Sequence, residues 1–200
     1  MPEPTTTQIK DTSANPAPLG LFGFGMTTVL LNLHNAGLFP MNSMILAMGL
    51  CYGGTAQVIA GIMESKKNNT FGMTAFISYG FFWLSLVTIV LLPKIFPAAN
   101  LQTDEKPLAM YLTVWGLFTF GLLLGTFRLS VALQVVFASL TILFFCLAAG
   151  DYFDLSPAFK HSTGLEGIFC GLSACYTGLA QVLNEIHGKT VLPLGTVSKK

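Results

Sequence analysis

Long apolar stretches alternate with short polar segments along the chain. The stretches cover residues 17–36, 43–63, 71–92, 108–127, 129–150 and 163–186. Each is mainly apolar and has about 18 residues or more, which is the length that an α-helix needs to cross the hydrocarbon core of a bilayer. Helices are expected because lipid offers open backbone groups no partner, and a β-barrel would show short alternating strands instead. The pattern predicts an all-α integral membrane protein with six transmembrane helices.

Composition supports this interpretation over a soluble domain. Hydrophobic residues make up 52% of the 200 residues and charged residues only 10%, whereas soluble domains carry about 25% charged residues. The first 14 residues are polar and lack the basic region, short apolar core and cleavage site of a signal peptide. We therefore predict a polar cytoplasmic tail over 1–14, a transport domain of six helices over 15–190 and a cytoplasmic C-terminal tail over 191–200.

Charge in the loops predicts the orientation. Six spans place both termini on one face of the membrane, and basic loop residues favour the cytoplasmic face. The face of the termini has seven basic residues and the other face has three, Lys94, Lys106 and Lys160; the seven are Lys10, Lys66, Lys67, Arg128, Lys189, Lys199 and Lys200. We expect a multi-pass protein of the inner, cytoplasmic membrane with both termini in the cytoplasm.

Two short strings recur along the chain. "FGMTT" at 24–28 returns as "FGMTA" at 71–75, and "CYGGTAQV" at 51–58 returns as "CYTGLAQV" at 175–182. The first pair links the first and third spans, and the second pair links the second and sixth. Spans that run in the same direction therefore resemble each other, whereas an inverted repeat would pair odd spans with even ones. The repetition predicts three two-helix hairpins around a pore in each protomer.

Hydroxyl and amide side chains interrupt the apolar spans. The candidates for a polar path are Thr27, Thr28, Asn32, Gln57, Gln134 and Gln181. A glutamine inside a membrane is costly unless it meets a polar group or water. These side chains either line a path for a solute or bond to neighbouring helices and backbone carbonyls, and the sequence leaves both interpretations open. Without charged residues at mid-membrane depth, a path of this kind suits a small neutral molecule or a weakly held anion.

The first span begins with "NPAPLGL" at 15–21. Pro16 and Pro18 tolerate the first helical turn, Asn15 can accept a hydrogen bond from a backbone N–H two or three residues on, and Gly20 leaves room for a neighbour. The N–H groups at a helix N-terminus also favour a carboxylate. We predict that this motif forms the mouth of the pore; alternatively, it only seats the helix among its neighbours.

Features of catalysis and metal binding are not visible in the sequence. The spans contain no H-E-x-x-H motif and no paired acids, and the four cysteines lack metal-ligand spacing. We expect no enzymatic activity, no cofactor, no metal site and no nucleic-acid partner.

Several long strings resemble one known family. "NPAPLGL", "GFGMTTVLLNLHN", "LAMGLCYGG", "NTFGMTAFISYGFFWL" and "VLNEIHGKTVLP" are similar to the acetate uptake transporters, which comprise bacterial succinate–acetate permeases and their fungal and archaeal relatives. The resemblance runs from Asn15 to about Gly195. It implies six helices and a pore in each protomer, and a homohexameric assembly in the membrane lipid.

The resemblance also implies site residues and substrates. The family's constriction maps onto Phe24, Tyr79 and Leu140, and a position linked to substrate choice, besides Leu140, maps onto Ala174. The expected substrates are acetate and succinate, with protons as a further partner if transport is coupled. Proton-coupled symport and passage through a passive anion channel both remain open. The alternative function is a channel for a small neutral solute such as ammonia or urea.

Overall fold

The computed structural model describes residues 13–102 and 104–197. This part of the chain forms six long helices, which are α1 (Ala17–Asn35), α2 (Ser43–Lys66), α3 (Thr70–Ile95), α4 (Glu105–Thr126), α5 (Val131–Tyr152) and α6 (Pro157–His187). The predicted N-terminal tail lies outside the described residues except for its last two. The predicted all-α membrane fold with six helices is confirmed.

Helices α1 to α5 are long and apolar enough to cross a membrane. The longest helix, α6, has 31 residues and a more polar composition, because it carries glycines, hydroxyl residues and charges near both ends. It begins six residues before the predicted span. Pro157 occupies the first turn, and Ser156 Oγ accepts a hydrogen bond from the N–H of Phe159 at 3.4 Å. These signals of a helix start extend beyond the apolar stretch on which the prediction rested.

The helices pack most extensively as three antiparallel pairs, α6 with α1, α2 with α3, and α4 with α5. Glycine permits the closest approaches. A Cβ added at Gly25 of α1 would lie 2.6 Å from the carbonyl oxygen of Gly171 in α6, and one at Gly80 of α3 would lie 2.8 Å from that of Gly54 in α2. Small residues are what close helix packing in lipid requires.

Helices α3 and α4 make few backbone contacts with each other. Aromatic side chains fill the space between them. Phe82 of α3 stacks on Tyr111 of α4 with ring centroids 5.8 Å apart, and it meets Trp115 edge-on at 5.3 Å. Large rings therefore hold α3 and α4 together, whereas the three pairs are held by close backbone approach.

Helix α2 is not regular throughout. Residues Gly49–Ala56 are π-helical, with α-helical turns on both sides. Such π-helical segments are rare and occur frequently at functional sites. This segment contains most of the string "CYGGTAQV".

Candidate functional site

A cluster of aromatic rings occupies the centre of the bundle around Tyr79 of α3. The Tyr79 side chain is 3% exposed, and its hydroxyl donates to Thr119 Oγ1 at 2.9 Å. Four rings surround it with centroids within 6.2 Å, those of Phe24, Trp115, Phe118 and Phe137. The four come from α1, α4 and α5, so this cluster is where the helices converge.

The structure brings the predicted constriction and selectivity residues together. Phe24, Tyr79, Leu140 and Ala174 are all buried and belong to the same hydrophobic cluster. Phe24 and Tyr79 are in ring contact, with centroids 5.9 Å apart. A charged solute at this level would meet apolar surface almost everywhere, because the phenol hydroxyl already has a partner. Their role as a constriction stays a prediction.

A cavity of about 220 Å³ lies on the Lys160 side of the aromatic cluster. Residues of α1 to α5 and of the loop before α2 line it: Leu31, Asn35, Met41, Ile45, Leu46, Phe82, Trp83, Leu86, Val87, Val90, Leu108, Leu112, Leu147 and Asp151. Phe82 and Trp83 lie about one helical turn from Tyr79 on α3. The cavity and the constriction thus follow one another along the middle of the bundle.

Trp83 is a site candidate that the sequence analysis did not single out. It lines the central cavity and is 3% exposed, and its indole N–H has no hydrogen-bond partner among the described residues. A buried indole N–H usually finds a partner. The only signal in the sequence was a tryptophan inside an apolar span, which also suits plain packing.

One face of α1 lies along both the aromatic cluster and the cavity. Phe24, Thr28, Leu31 and Asn35 recur at the spacing of one helix face. Phe24 belongs to the aromatic cluster, and Leu31 and Asn35 line the cavity. Thr28, between them, is 3% exposed and its hydroxyl has no partner among the described residues. Thr28 is therefore a buried hydroxyl on this face that is unpaired among the described residues.

Gln57 of α2 is the largest fully buried side chain of the described residues. It is 0% exposed, and neither its amide nitrogen nor its amide oxygen has a hydrogen-bond partner there. Its Cγ would lie 3.3 Å from a Cβ added at Gly23 of α1. A buried amide without partners is unfavourable unless water or a ligand satisfies it. Gln57 thus belongs with Thr28 rather than with the bonded polar residues.

Three other path candidates bond to the protein itself. Thr27 Oγ1 is 3.5 Å from the carbonyl oxygen of Met48, and Gln134 Nε2 is 3.5 Å from that of Thr126 at the turn between α4 and α5. Asn32 donates to the Thr28 carbonyl at 2.9 Å and packs against Gly167 of α6. These contacts favour the structural interpretation for Thr27, Asn32 and Gln134.

Gln181 joins the N-terminal motif instead of the centre. Asn15 Nδ2 donates to Gln181 Oε1 at 3.0 Å, and Asn15 Oδ1 accepts from the N–H of Ala17 at 3.1 Å. The second bond agrees with the local hydrogen bond predicted for Asn15. One exposed side chain therefore ties the start of α1 to the end of α6.

The rest of the N-terminal motif packs inward. Pro16, Pro18 and Gly20 are buried. A Cβ at Gly20 would lie 2.5 Å from the ring of Phe76 in α3, and one at Gly23 would lie 2.8 Å from the Tyr52 carbonyl oxygen in α2. Together with Gly25, which faces α6, the glycines let three neighbouring helices close around Phe24.

Comparisons with known proteins show the family and the overall fold. The model of the GPR1/FUN34/yaaH family matches residues 1–198. The succinate-acetate/proton symporter SatP of Escherichia coli K12 is 54% identical over 182 residues, which cover 91% of this chain and 95% of that protein. The solved structure of the bacterial acetate channel SatP superposes with a TM-score of 0.88 at 52% identity, over 92% of this chain and 100% of that one. A more distant relative, the ammonia transport outward protein 2 of Saccharomyces cerevisiae, is 34% identical over 84% of this chain and 61% of that protein.

Proposed function

Because the chain belongs to the GPR1/FUN34/yaaH family, we propose that it carries small carboxylates, acetate and succinate, across the membrane through a path inside each protomer. The observation that carries the proposal is the close likeness, over nearly the whole of both chains, to SatP, a succinate-acetate symporter by one description and an acetate channel by another. The path runs from the central cavity past Trp83 and Thr28 to the constriction of Phe24, Tyr79 and Leu140.

The geometry fits transport of a small acid. The constriction is apolar, so a solute must lose water there, and the neutral groups of Thr28, Gln57 and Trp83 can replace part of that water. We infer that acids of few carbons pass most easily, because the cavity before the constriction is small. The relatives are transporters, and we propose no enzymatic role.

The test is uptake of labelled acetate and succinate into liposomes that contain the purified protein. An imposed inward proton gradient should accelerate uptake if protons move with the acid. Uptake that responds only to the acid gradient would identify a passive channel. Absence of any uptake of either acid, beyond that of empty liposomes, would overturn the proposed function.

A channel for ammonia or urea is the second candidate function. The likeness to the yeast ammonia transport protein favours it, as do the neutral side chains of the path. Labelled urea, and ammonia followed with an internal pH dye, should be measured in the same liposomes. Faster permeation of these solutes than of acetate would favour this alternative.

The constriction residues should determine which acids pass. We propose that Phe24→Ala and Leu140→Ala open space at the constriction and admit bulkier acids such as lactate, and that Ala174→Phe, at a fully buried position, narrows it. The measurement is the ratio of lactate to acetate uptake, normalised to the amount of folded protein. Unchanged ratios in the folded Phe24→Ala and Leu140→Ala variants would remove these residues from the path.

We further propose a homohexamer in the inner membrane with both termini in the cytoplasm and with residues 15–190 as the transport domain. The charge imbalance of the loops supports the orientation, and the apolar side chains on the bundle's outer surface suit contacts with lipid or other protomers. Native mass spectrometry from mild detergent would give the number of protomers. Cysteine labelling from either side of the membrane would test the orientation.

A further inference from the structure

A second cavity, of about 250 Å³, lies at the end of the bundle that is opposite to Asn15. The ends of α1, α5 and α6 form it, with His34 and Asn35 from α1, Asp151 from α5, and Lys160 and Thr163 from α6 among its lining. We call it the outer pocket. Unlike the central cavity, it contains residues of both charges.

The outer pocket and the central cavity share part of their lining. Asn35, Leu147 and Asp151 line both. The two cavities are therefore neighbours, with these side chains as their common wall. Their adjacency relates the outer pocket to the proposed path rather than to an unrelated surface.

The lining of the outer pocket includes an acidic and a basic residue, Asp151 and Lys160. Lys160 is 39% exposed and is 3.5 Å from Asp154 Oδ1, whose own side chain is 87% exposed. Asp151, half-buried, is attracted by Lys160 and repelled by Glu105 of α4. His34 Nδ1 donates to the Phe39 carbonyl at 2.9 Å, since a carbonyl only accepts. Lys160 is the lysine of the pocket's lining, and a carboxylate can approach its partly exposed ammonium group.

We propose that the outer pocket is a binding site for carboxylate anions, in which Lys160 attracts the anion and Asp151 repels it at the passage to the central cavity. The inference rests on the proposed function. The weak, largely solvent-exposed contact with Asp154 is readily exchanged for a contact with the ligand, because exposed ion pairs contribute little. A dicarboxylate, with two charges, responds more strongly to Lys160 and Asp151 than a monocarboxylate does.

The test is the initial rate of succinate and acetate uptake by cells that express the full chain and lack other carriers of these acids. In Lys160→Gln we expect the KM for succinate to rise about three- to tenfold at low ionic strength, with a smaller rise for acetate and an unchanged maximal rate. Asp151→Asn should lower both KM values. Added salt should raise the KM of the parent protein but change that of Lys160→Gln little.

Two further variants separate the site from general effects. Lys106→Gln removes another outer basic residue that does not line the pocket, and it should leave both KM values near those of the parent. Lys160→Arg, which keeps the charge, should restore most of the affinity. Equal KM values in Lys160→Gln and the parent, or an equal rise in Lys106→Gln, would overturn the outer site. Absence of uptake by the parent protein would instead count against the proposed function itself.

Discussion

The two copies of the repeated string meet different surroundings in the fold. In α2, "CYGGTAQV" is π-helical over most of its length and contains Gln57, which is fully buried and has no hydrogen-bond partner among the described residues. In α6, "CYTGLAQV" is α-helical and contains Gln181, which is bonded to Asn15. Near-identical sequence therefore gives a bonded amide in one copy and an unpaired one in the other.

Position 53 contributes to the difference. Gly53 corresponds to Thr177 in the second copy, and a Cβ there would lie 2.9 Å from both Thr27 Cγ2 and Trp83 Cγ. Thr177 instead bonds the Ser173 carbonyl of its own helix at 2.8 Å. Position 53 of the first copy is in close contact with α1 and α3, whereas position 177 of the second copy accommodates a larger side chain. The surroundings of each copy, rather than the string itself, determine where its glutamine lies.

The largest expected effect comes from making the first copy like the second. Gly53→Thr forces a branched side chain against Thr27 and Trp83, and overpacking of this kind costs about 3 kcal/mol. We expect a lower melting temperature in detergent and loss of acetate uptake. The matched reverse change, Thr177→Gly, should destabilise the fold less, because it removes a small side chain whose hydroxyl bonds within its own helix and adds the cost of about 1 kcal/mol for glycine in a helix interior. Equal losses in the two variants would mean that the two copies are packed alike.

The second prediction concerns the glutamines themselves. Gln57→Leu removes a buried amide without partners, so the fold should become more stable by about 1–3 kcal/mol, while acetate uptake falls about tenfold, equivalent to about 1.4 kcal/mol on the barrier. Opposite signs for stability and transport would mark Gln57 as a group kept for the solute.

Gln181→Leu is the matched control for Gln57→Leu. It should lower stability by about 0.5–1.5 kcal/mol through loss of one hydrogen bond and reduce uptake only in proportion to the folded protein. A destabilised Gln57→Leu variant with normal uptake per folded molecule would contradict the assignment and leave Gln57 as a packing residue.

Much of this architecture follows from the sequence because hydropathy and helix period are local properties. Five of the six helices begin and end within a few residues of the predicted spans, and Phe24 and Tyr79 meet at the centre as the resemblance implied. Orientation of helices in the membrane and the number of protomers stay predictions.

The hydrogen-bond partners of each polar side chain could not be predicted in the same way. Whether an amide is paired depends on residues far away in the chain. Gln181 finds Asn15 at a separation of 166 residues, and Gln57 has no such partner in the part of the chain that the structure describes. No period in the string reveals the π-helical segment either. The polar residues of the spans therefore gave six path candidates, and the structure divides these into residues with and without hydrogen-bond partners.

The smallest expected effect concerns the bond that distinguishes the second copy. Asn15 accepts from the Ala17 N–H and donates to Gln181, and two substitutions separate these roles. Asn15→Asp keeps the acceptor and removes the donor, whereas Asn15→Ala removes both. We expect Asn15→Ala to lower stability by about 0.5–1.5 kcal/mol through loss of its hydrogen bonds, and Asn15→Asp by less.

A double-mutant cycle of Asn15→Ala with Gln181→Leu measures the bond between the two side chains. The effects of substituting two residues in contact are coupled. The double variant should therefore lose less stability than the sum of the two single variants, by about 0.5 kcal/mol or more. If the motif shapes the mouth of the pore, Asn15→Ala will also reduce acetate uptake more than it reduces the amount of folded oligomer. Uptake that falls only with the amount of oligomer would assign the motif to assembly alone. Strict additivity would show that the Asn15–Gln181 bond contributes nothing, so that the two glutamines would differ only in burial.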